Sequence, residues 1–143
     1  SDEMKEAGWS ESMAQVNHTY NQKCGTVRGL HFQREPYEEK KLVTCIKGKI
    51  WDVVVDIRPN SSTYLHWHSE ELSENNMRAL MIPEGFAHGY QTLSDDVEIL
   101  YCHSNFFNEG SEGGLNPHDP KLSINWPLEI TTISSRDSNH PLI

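Results

Sequence analysis

Ile50-Trp51-Asp52-Val53-Val54-Val55-Asp56-Ile57 is the stretch on which the fold turns. β-Branched and aromatic residues dominate it, and a period of two sorts it into two faces. Trp51, Val53, Val55 and Ile57 point one way; Ile50, Asp52, Val54 and Asp56 point the other. Upstream, Lys47-Gly48 turns the chain back toward a run at Leu42–Ile46, and Thr26–Gln33 is a further run. Downstream, Arg58-Pro59-Asn60-Ser61 is a turn and Ser62–Trp67 reads as the next strand. Glu70–Asn76 reads as a helical turn or a loop. Met77–Ile82 runs into Pro83-Glu84-Gly85. Phe86–Leu93 and Val97–His103 read as a hairpin about Ser94-Asp95-Asp96. Residues 1–20 are polar without a strong period and read as an arm or edge segment. Beyond Asn105 the chain is irregular, with a last short strand at Ser123–Trp126. Many short strands and little helix predict an all-β antiparallel barrel or jelly roll. A face mixing aspartate with valine suits a barrel that holds a ligand better than a dry core.

The chain has 143 residues, enough for one domain with a real core, and 4 Trp, 5 Tyr and 4 Phe supply bulky apolar surface despite a hydrophobic content of 36%. The net charge of −9 is opposite to what a nucleic-acid backbone binder needs, while leaving room for a small anion gathered by a few arginines and lysines. No apolar window is long enough for a membrane-spanning helix. Ser1-Asp2-Glu3-Met4-Lys5-Glu6 lacks the basic start and apolar run of a signal peptide. Cys24, Cys45 and Cys102 are odd in number, widely spaced and free of C-x-x-C, which argues against a disulfide framework and fits a reducing cytoplasm.

Histidine occurs 8 times. His66 and His68 share a face of an extended strand, and His88 ends Pro83-Glu84-Gly85-Phe86-Ala87-His88, so the three invite a metal reading. The latter half fits the P-x-G-x-x-H part of metal cupins. The former half does not: Asn60 stands where the motif has Gly, and Leu72 and Ser73 stand where it has Glu. Half-exposed histidines near a strand end are the better reading. A second grouping is Arg28-Gly29-Leu30-His31-Phe32-Gln33, followed by Lys41 and, further on, Tyr101. Strict alternation sends Arg28 and His31 to opposite faces, and Gly29 between them marks a candidate bulge that re-aims one of them.

Arg28-Gly29-Leu30-His31-Phe32-Gln33, Lys41-Leu42-Val43, Asp52 to Arg58, Ile82-Pro83-Glu84-Gly85-Phe86-Ala87-His88-Gly89, Leu100-Tyr101, Asp119-Pro120, Trp126-Pro127 and Ser134-Ser135-Arg136-Asp137 occur in this order. In this the chain resembles the dTDP-4-dehydrorhamnose 3,5-epimerase family, from about Gln15 to Leu142. The resemblance implies a cupin-type jelly roll over residues 1–143, a homodimer, and no metal or other cofactor. It implies a substrate that is a nucleotide-linked 4-keto-6-deoxy sugar, inverted at C3, C5 or both. His31 matches the family's base, Asp137 the carboxylate that orients it, and Tyr101 the acid. These residue types suit proton exchange beside a ketone, since an imidazole titrates near neutrality and a phenol stays protonated there. Lys41 matches the enolate-stabilising lysine and Arg28 a diphosphate contact. Gln33, His88 and Asp52 match pocket positions, and Gln15 and Asn17 fit a ligand-contacting Q-x-N segment.

Three departures follow from the same comparison. Family members usually carry an R-x-F-x-E-like run before this region, and none is found here, so the expectation is an arm over residues 1–20 shortened relative to the family, or else a different nucleotide contact. Phe107 stands where a base-stacking Tyr is usual, keeping the ring and losing a hydroxyl. Cys102 stands where Lys is common. Two other readings stay open: a cupin that binds a sugar or nucleotide without turnover, and a metal-dependent cupin using His66, His68 and His88.

Overall fold

The computed structural model describes residues 1–143. In chain order the elements are α1 (Asp2–Glu6), β1 (Gln15–Asn21), β2 (Thr26–Gln33), β3 (Lys41–Lys47), β4 (Lys49–Asp56), β5 (Trp67–Ser73), β6 (Ala79–Ile82), β7 (Phe86–Thr92), β8 (Val97–His103), a 3-10 turn (Glu109–Ser111), β9 (Glu112–Gly114), β10 (Thr132–Ile133) and α2 (Ser135–Ser138). They form two sheets, one ordered β1-β8-β3-β6 and the other β10-β2-β7-β4-β5 with β9 added to β2. Only β10 runs parallel to its neighbour. This is the jelly-roll barrel expected from the many short runs.

Strand β4 shows how the barrel is filled. Ile50 and Val54 join Val43, Ile99 and Tyr101 in the core between the sheets. Val53 and Val55 face outward, yet they are fully buried, because Leu122, Ile124 and Trp126 of the C-terminal segment pack over them. Trp51 stands edge-on to Trp67 and Trp126, with ring centroids 5.7 and 5.5 Å away. The indoles of Trp67 and Trp126 donate to the carbonyls of Leu122 and Pro117, which fixes the covering segment. Both faces of this strand are therefore desolvated, each Val or Ile adding on the order of 1.5–3 kcal/mol.

The strands at Phe86–Leu93 and Val97–His103 form as expected, but they do not make a hairpin. Strand β7 pairs with β2 and β4, and β8 pairs with β1 and β3. The turn at 93–96 carries the chain from one sheet to the other, and the turn at Lys47-Gly48 does the same. The two are tied together: Leu93 N–H donates to Lys49 O at 2.9 Å, and Lys49 N–H to Ser94 Oγ at 3.1 Å. Alternation identifies a strand without naming its partner.

The run Ser62–Trp67 is a turn, not a strand, and β5 begins at Trp67 and absorbs the first part of the expected loop at Glu70–Asn76. Asp56 is the reason. Its buried carboxylate accepts from Arg58 Nε and Nη2 and from the hydroxyls of Ser61 and Thr63, at 2.9, 2.8, 2.5 and 2.6 Å. Those bonds coil residues 58–63 around one anion. The Arg58 hydrogen bond, outweighing burial, holds Asp56 well below the usual carboxylate range. Ser123–Trp126 is not a strand either; it is the irregular cover over β4, and the last strand is β10. The polar N-terminal arm resolves into α1 and the edge strand β1.

Candidate active site

A cleft of about 250 Å³ opens into the barrel between the sheets. Arg28, His31 and Gln33 reach it from β2, Lys41 from β3, His88 from β7, Tyr101 from β8, with Asn17 on β1 and Phe107 at the rim. Eight of the eleven expected positions thus converge on one cavity. Asp137 and Asp52 stand just behind, each buried against a histidine, and Gln15 is set back at the rim.

The local device that assembles the site is the bulge in β2. Arg28 pairs with Tyr90 and His31 with His88, so Gly29 and Leu30 together oppose Gly89 alone. The extra residue restores Arg28 and His31 to the same side, while Leu30 turns away into full burial. Only glycine serves at position 29. Its φ is +124°, and a Cβ there would lie 2.6 Å from Gly89 Cα and 2.8 Å from the His88 carbonyl oxygen.

The bulge also aims the Gly29 N–H at Asp137 Oδ2, 3.1 Å away. The other carboxylate oxygen lies 2.6 Å from His31 Nε2. Asp137 is held in place by α2, where Ser134 caps the helix and its Oγ accepts from the Asp137 N–H at 3.0 Å. Burial pushes the Asp137 carboxyl up, but the hydrogen bonds from His31 and Gly29 and the charge of His31 prevail and lower it. An ionised Asp137 accepts, so Nε2 of His31 donates and Nδ1 is left with the lone pair.

A second dyad repeats the pattern deeper in the barrel, with His88 Nε2 2.6 Å from Asp52 Oδ1. The His88 ring stands edge-on to Tyr101 at 6.0 Å. Burial raises the Tyr101 phenol well above its ordinary range, and Tyr90 and Asp52 push it the same way. The hydroxyl therefore keeps its proton. Lys41 Nζ has a carboxylate partner, Glu39 Oε1 at 3.5 Å, and the other oxygen of Glu39 is 3.0 Å from His103 Nδ1. Arg28 Nε donates to Asn21 Oδ1 at 2.7 Å, and Asn21 Nδ2 donates to the Tyr90 hydroxyl at 3.0 Å.

Gln33 borders the cleft, but its amide is engaged. Nε2 donates to the carbonyls of Tyr37 and Phe106, and Oε1 accepts from Asn108 N–H. It braces the loop that carries Phe107. Gln15 does likewise, donating to Asn17 Oδ1 and accepting from Phe107 N–H. Cys102 alternates away from the cleft, and burial raises its thiol. His66 and His68 are exposed, while His88 is buried against Asp52, so these three do not form a metal site.

Sequence reading missed Glu39, His103 and Tyr90. The first two were within reach of strand parity, since they lie two positions from Lys41 and Tyr101 on the same faces. Tyr90 and its partner Asn21 depend on the pairing of strands distant in sequence.

The family model described as dTDP-4-dehydrorhamnose 3,5-epimerase matches residues 1–143. The dTDP-4-dehydrorhamnose 3,5-epimerase of Shigella flexneri is 43% identical over 132 residues, covering 92% of this chain and 72% of its own. The crystal structure of the Bacillus anthracis dTDP-4-dehydrorhamnose 3,5-epimerase with TDP and pyrophosphate bound superimposes with a TM-score of 0.95 at 35% identity, over 99% of this chain and 81% of that one. The Legionella pneumophila dTDP-6-deoxy-D-glucose-3,5-epimerase in complex with dTDP-4-keto-L-rhamnose gives a TM-score of 0.93 at 35% identity, over 99% and 76%. Matched by the family model over its whole length and 43% identical to a relative of which it covers 72%, the chain belongs to the dTDP-4-dehydrorhamnose 3,5-epimerase family.

Proposed function

We propose that this protein is an isomerase that epimerises a nucleotide-linked 4-keto-6-deoxy sugar at C3, C5 or both. The observation that carries the reading is the His31–Asp137 dyad opening onto the same cleft as the Tyr101 hydroxyl and Lys41. The C4 ketone acidifies its neighbouring C–H bonds. Nδ1 of His31 takes one such proton, and the electron pair moves into a C=C bond while the ketone oxygen becomes an enolate oxygen. Nε2–H stays on Asp137, whose charge stabilises the imidazolium. Lys41 faces the enolate oxygen. The Tyr101 hydroxyl then gives its proton to the same carbon from the opposite face, and the carbonyl re-forms. Arg28 binds the diphosphate, its planar head suited to paired oxygens. Asp52 orients His88, and Phe107 stacks at the rim beside the base.

The same reading includes residues 1–143 acting as one domain, a homodimer, and a cytoplasmic location. The edge strand β1 exposes Val16 and Tyr20 along its length, which supports pairing with a second copy. All three cysteines are free, in keeping with a reducing compartment. No helix is long and apolar enough to cross a membrane.

Solvent deuterium uptake tests the reading. Incubation in D2O with dTDP-4-keto-6-deoxyglucose should add one deuterium to the sugar for each carbon inverted, read by mass. His31→Ala, folded by circular dichroism, should add none. No uptake by the wild type over a panel of nucleotide-linked 4-keto sugars would leave a protein that binds without turning over.

A further inference from the structure

Asp137 is flanked by two imidazoles. His31 Nε2 lies 2.6 Å from Asp137 Oδ1, and His140 Nε2 lies 3.6 Å from the same oxygen. All three atoms fall within 4.8 Å of one another, the only such convergence of His, Cys, Asp and Glu side chains in the chain. The catalytic reading does not use His140. Its Nε2 is sealed from solvent and has no hydrogen-bond partner. An unpaired buried polar atom is costly, and a site that keeps one invites a ligand. The ring is held in this pose from two sides. The His140 carbonyl accepts from Asn116 Nδ2 at 2.9 Å, and Gly114 leaves the space the ring fills, since a Cβ there would collide with its Cε1.

We propose that His31, Asp137 and His140 bind a divalent transition cation of the zinc type, and that the bound ion shuts off the base. Two neutral imidazoles and a carboxylate are a three-ligand set that holds zinc with a fourth position open for water. Tetrahedral bonds of about 2.0–2.1 Å place ligand atoms about 3.3 Å apart. The 3.6 Å separation of His140 and Asp137 is near that value, and the 2.6 Å hydrogen bond opens by less than about 1 Å when an ion replaces the shared proton. The Gly29 N–H on Asp137 Oδ2 remains as support behind the carboxylate. His140 also borders a second cleft where Arg136 is paired with Glu112, which gives the ion a route that does not pass the sugar. Coordination takes the lone pair of His31 Nε2, so the ring's one proton moves to Nδ1. That is the nitrogen that must be bare to accept a proton from carbon. The site itself stands on geometry alone; its effect on turnover rests on the epimerase reading.

The test uses cobalt and zinc on chelator-treated full-length protein. Titration with Co2+ should give the intense visible bands of a four-coordinate ion, saturating at about one equivalent, and Zn2+ should displace them. H140Q should weaken binding by more than about tenfold, since even losses behind a metal ligand cost about 10–100-fold. H68Q, on the exposed pair with Glu70, should leave the bands unchanged. Zinc should stop deuterium uptake by the wild type, a chelator should restore it, and H140Q should turn over normally and resist zinc. If H140Q does not fold, D137N must abolish the bands. No bands in the wild type, or bands that saturate at the same Co2+ concentration in H140Q, would overturn the site. Bands without deuterium uptake in the metal-free enzyme would keep the site and remove the epimerase reading.

Discussion

Asp137 has two oxygens and two different donors to satisfy, and that asymmetry governs its replacement. The Gly29 N–H faces Oδ2 and can only donate, so an asparagine would turn its carbonyl oxygen there. Its NH2 would then face His31 Nε2 and force the ring proton onto Nδ1, the wrong tautomer for a base. Asp137→Asn should therefore lower kcat by about 10²–10⁴-fold with KM little changed, as steady-state epimerisation would show. As the proposed acid, Tyr101 offers a way to separate the two halves of the reaction. In Tyr101→Phe the ring still packs beside His88, and His31 still removes and returns a proton on its own face. Inversion, followed by NMR of the product, should fall by about 10²-fold while deuterium uptake by substrate of unchanged configuration persists. Loss of both together would take Tyr101 out of the acid role.

Among the elements, β2 is the one whose irregularity is functional. A regular strand would send Arg28 and His31 to opposite faces; one inserted residue brings them together and turns a backbone N–H toward Asp137. Gly29→Ala puts a methyl group against the backbone of Gly89 and His88 at a φ of +124°. The variant should lose about 2–4 kcal/mol in urea unfolding and most of its turnover, because relief of the clash moves His31 and the Gly29 N–H together. Gly89→Ala meets the same wall from the other strand, with its Cβ 2.7 Å from the Arg28 carbonyl oxygen, but at an ordinary φ. The bulge was legible as a glycine between two residues of wrong parity. Its effect on Asp137 was not, because the carboxylate comes from α2, more than a hundred positions away.

At the scale of the whole molecule, acid stability reports the buried carboxylates. Asp56 is held below its unfolded value of about 3.9, chiefly by Arg58. A lowered value means that its contribution is complete above the unfolded pKa and is lost as pH falls through the folded one. The wild type should therefore lose stability steeply below about pH 4. Asp56→Asn should cost about 2–3 kcal/mol at pH 7, and its stability should fall less steeply with acid, as denaturant midpoints across pH would show. The exposed edge of the four-stranded sheet supplies the remaining prediction. Sedimentation should find a dimer, and Tyr20→Lys on β1 should shift it toward monomer without lowering the melting temperature of the barrel.

The sequence by itself determined that the chain is a β protein, where most of its strands lie, and which residue types carry acid–base chemistry. Alternation, turn residues and the ordinary acidity of each side-chain type are local properties, written into the order of residues. Tertiary structure decided everything that depends on pairing between distant segments. It sent β7 and β8 into different sheets, coiled residues 58–63 around Asp56, covered β4 with the segment ending at Trp126, and set Glu39, Tyr90, His103 and His140 among the histidines and carboxylates. A strand's period says which side chains share a face. Which strand, cap or buried charge meets that face is settled only when the sheets close on one another and every buried polar group must find its partner.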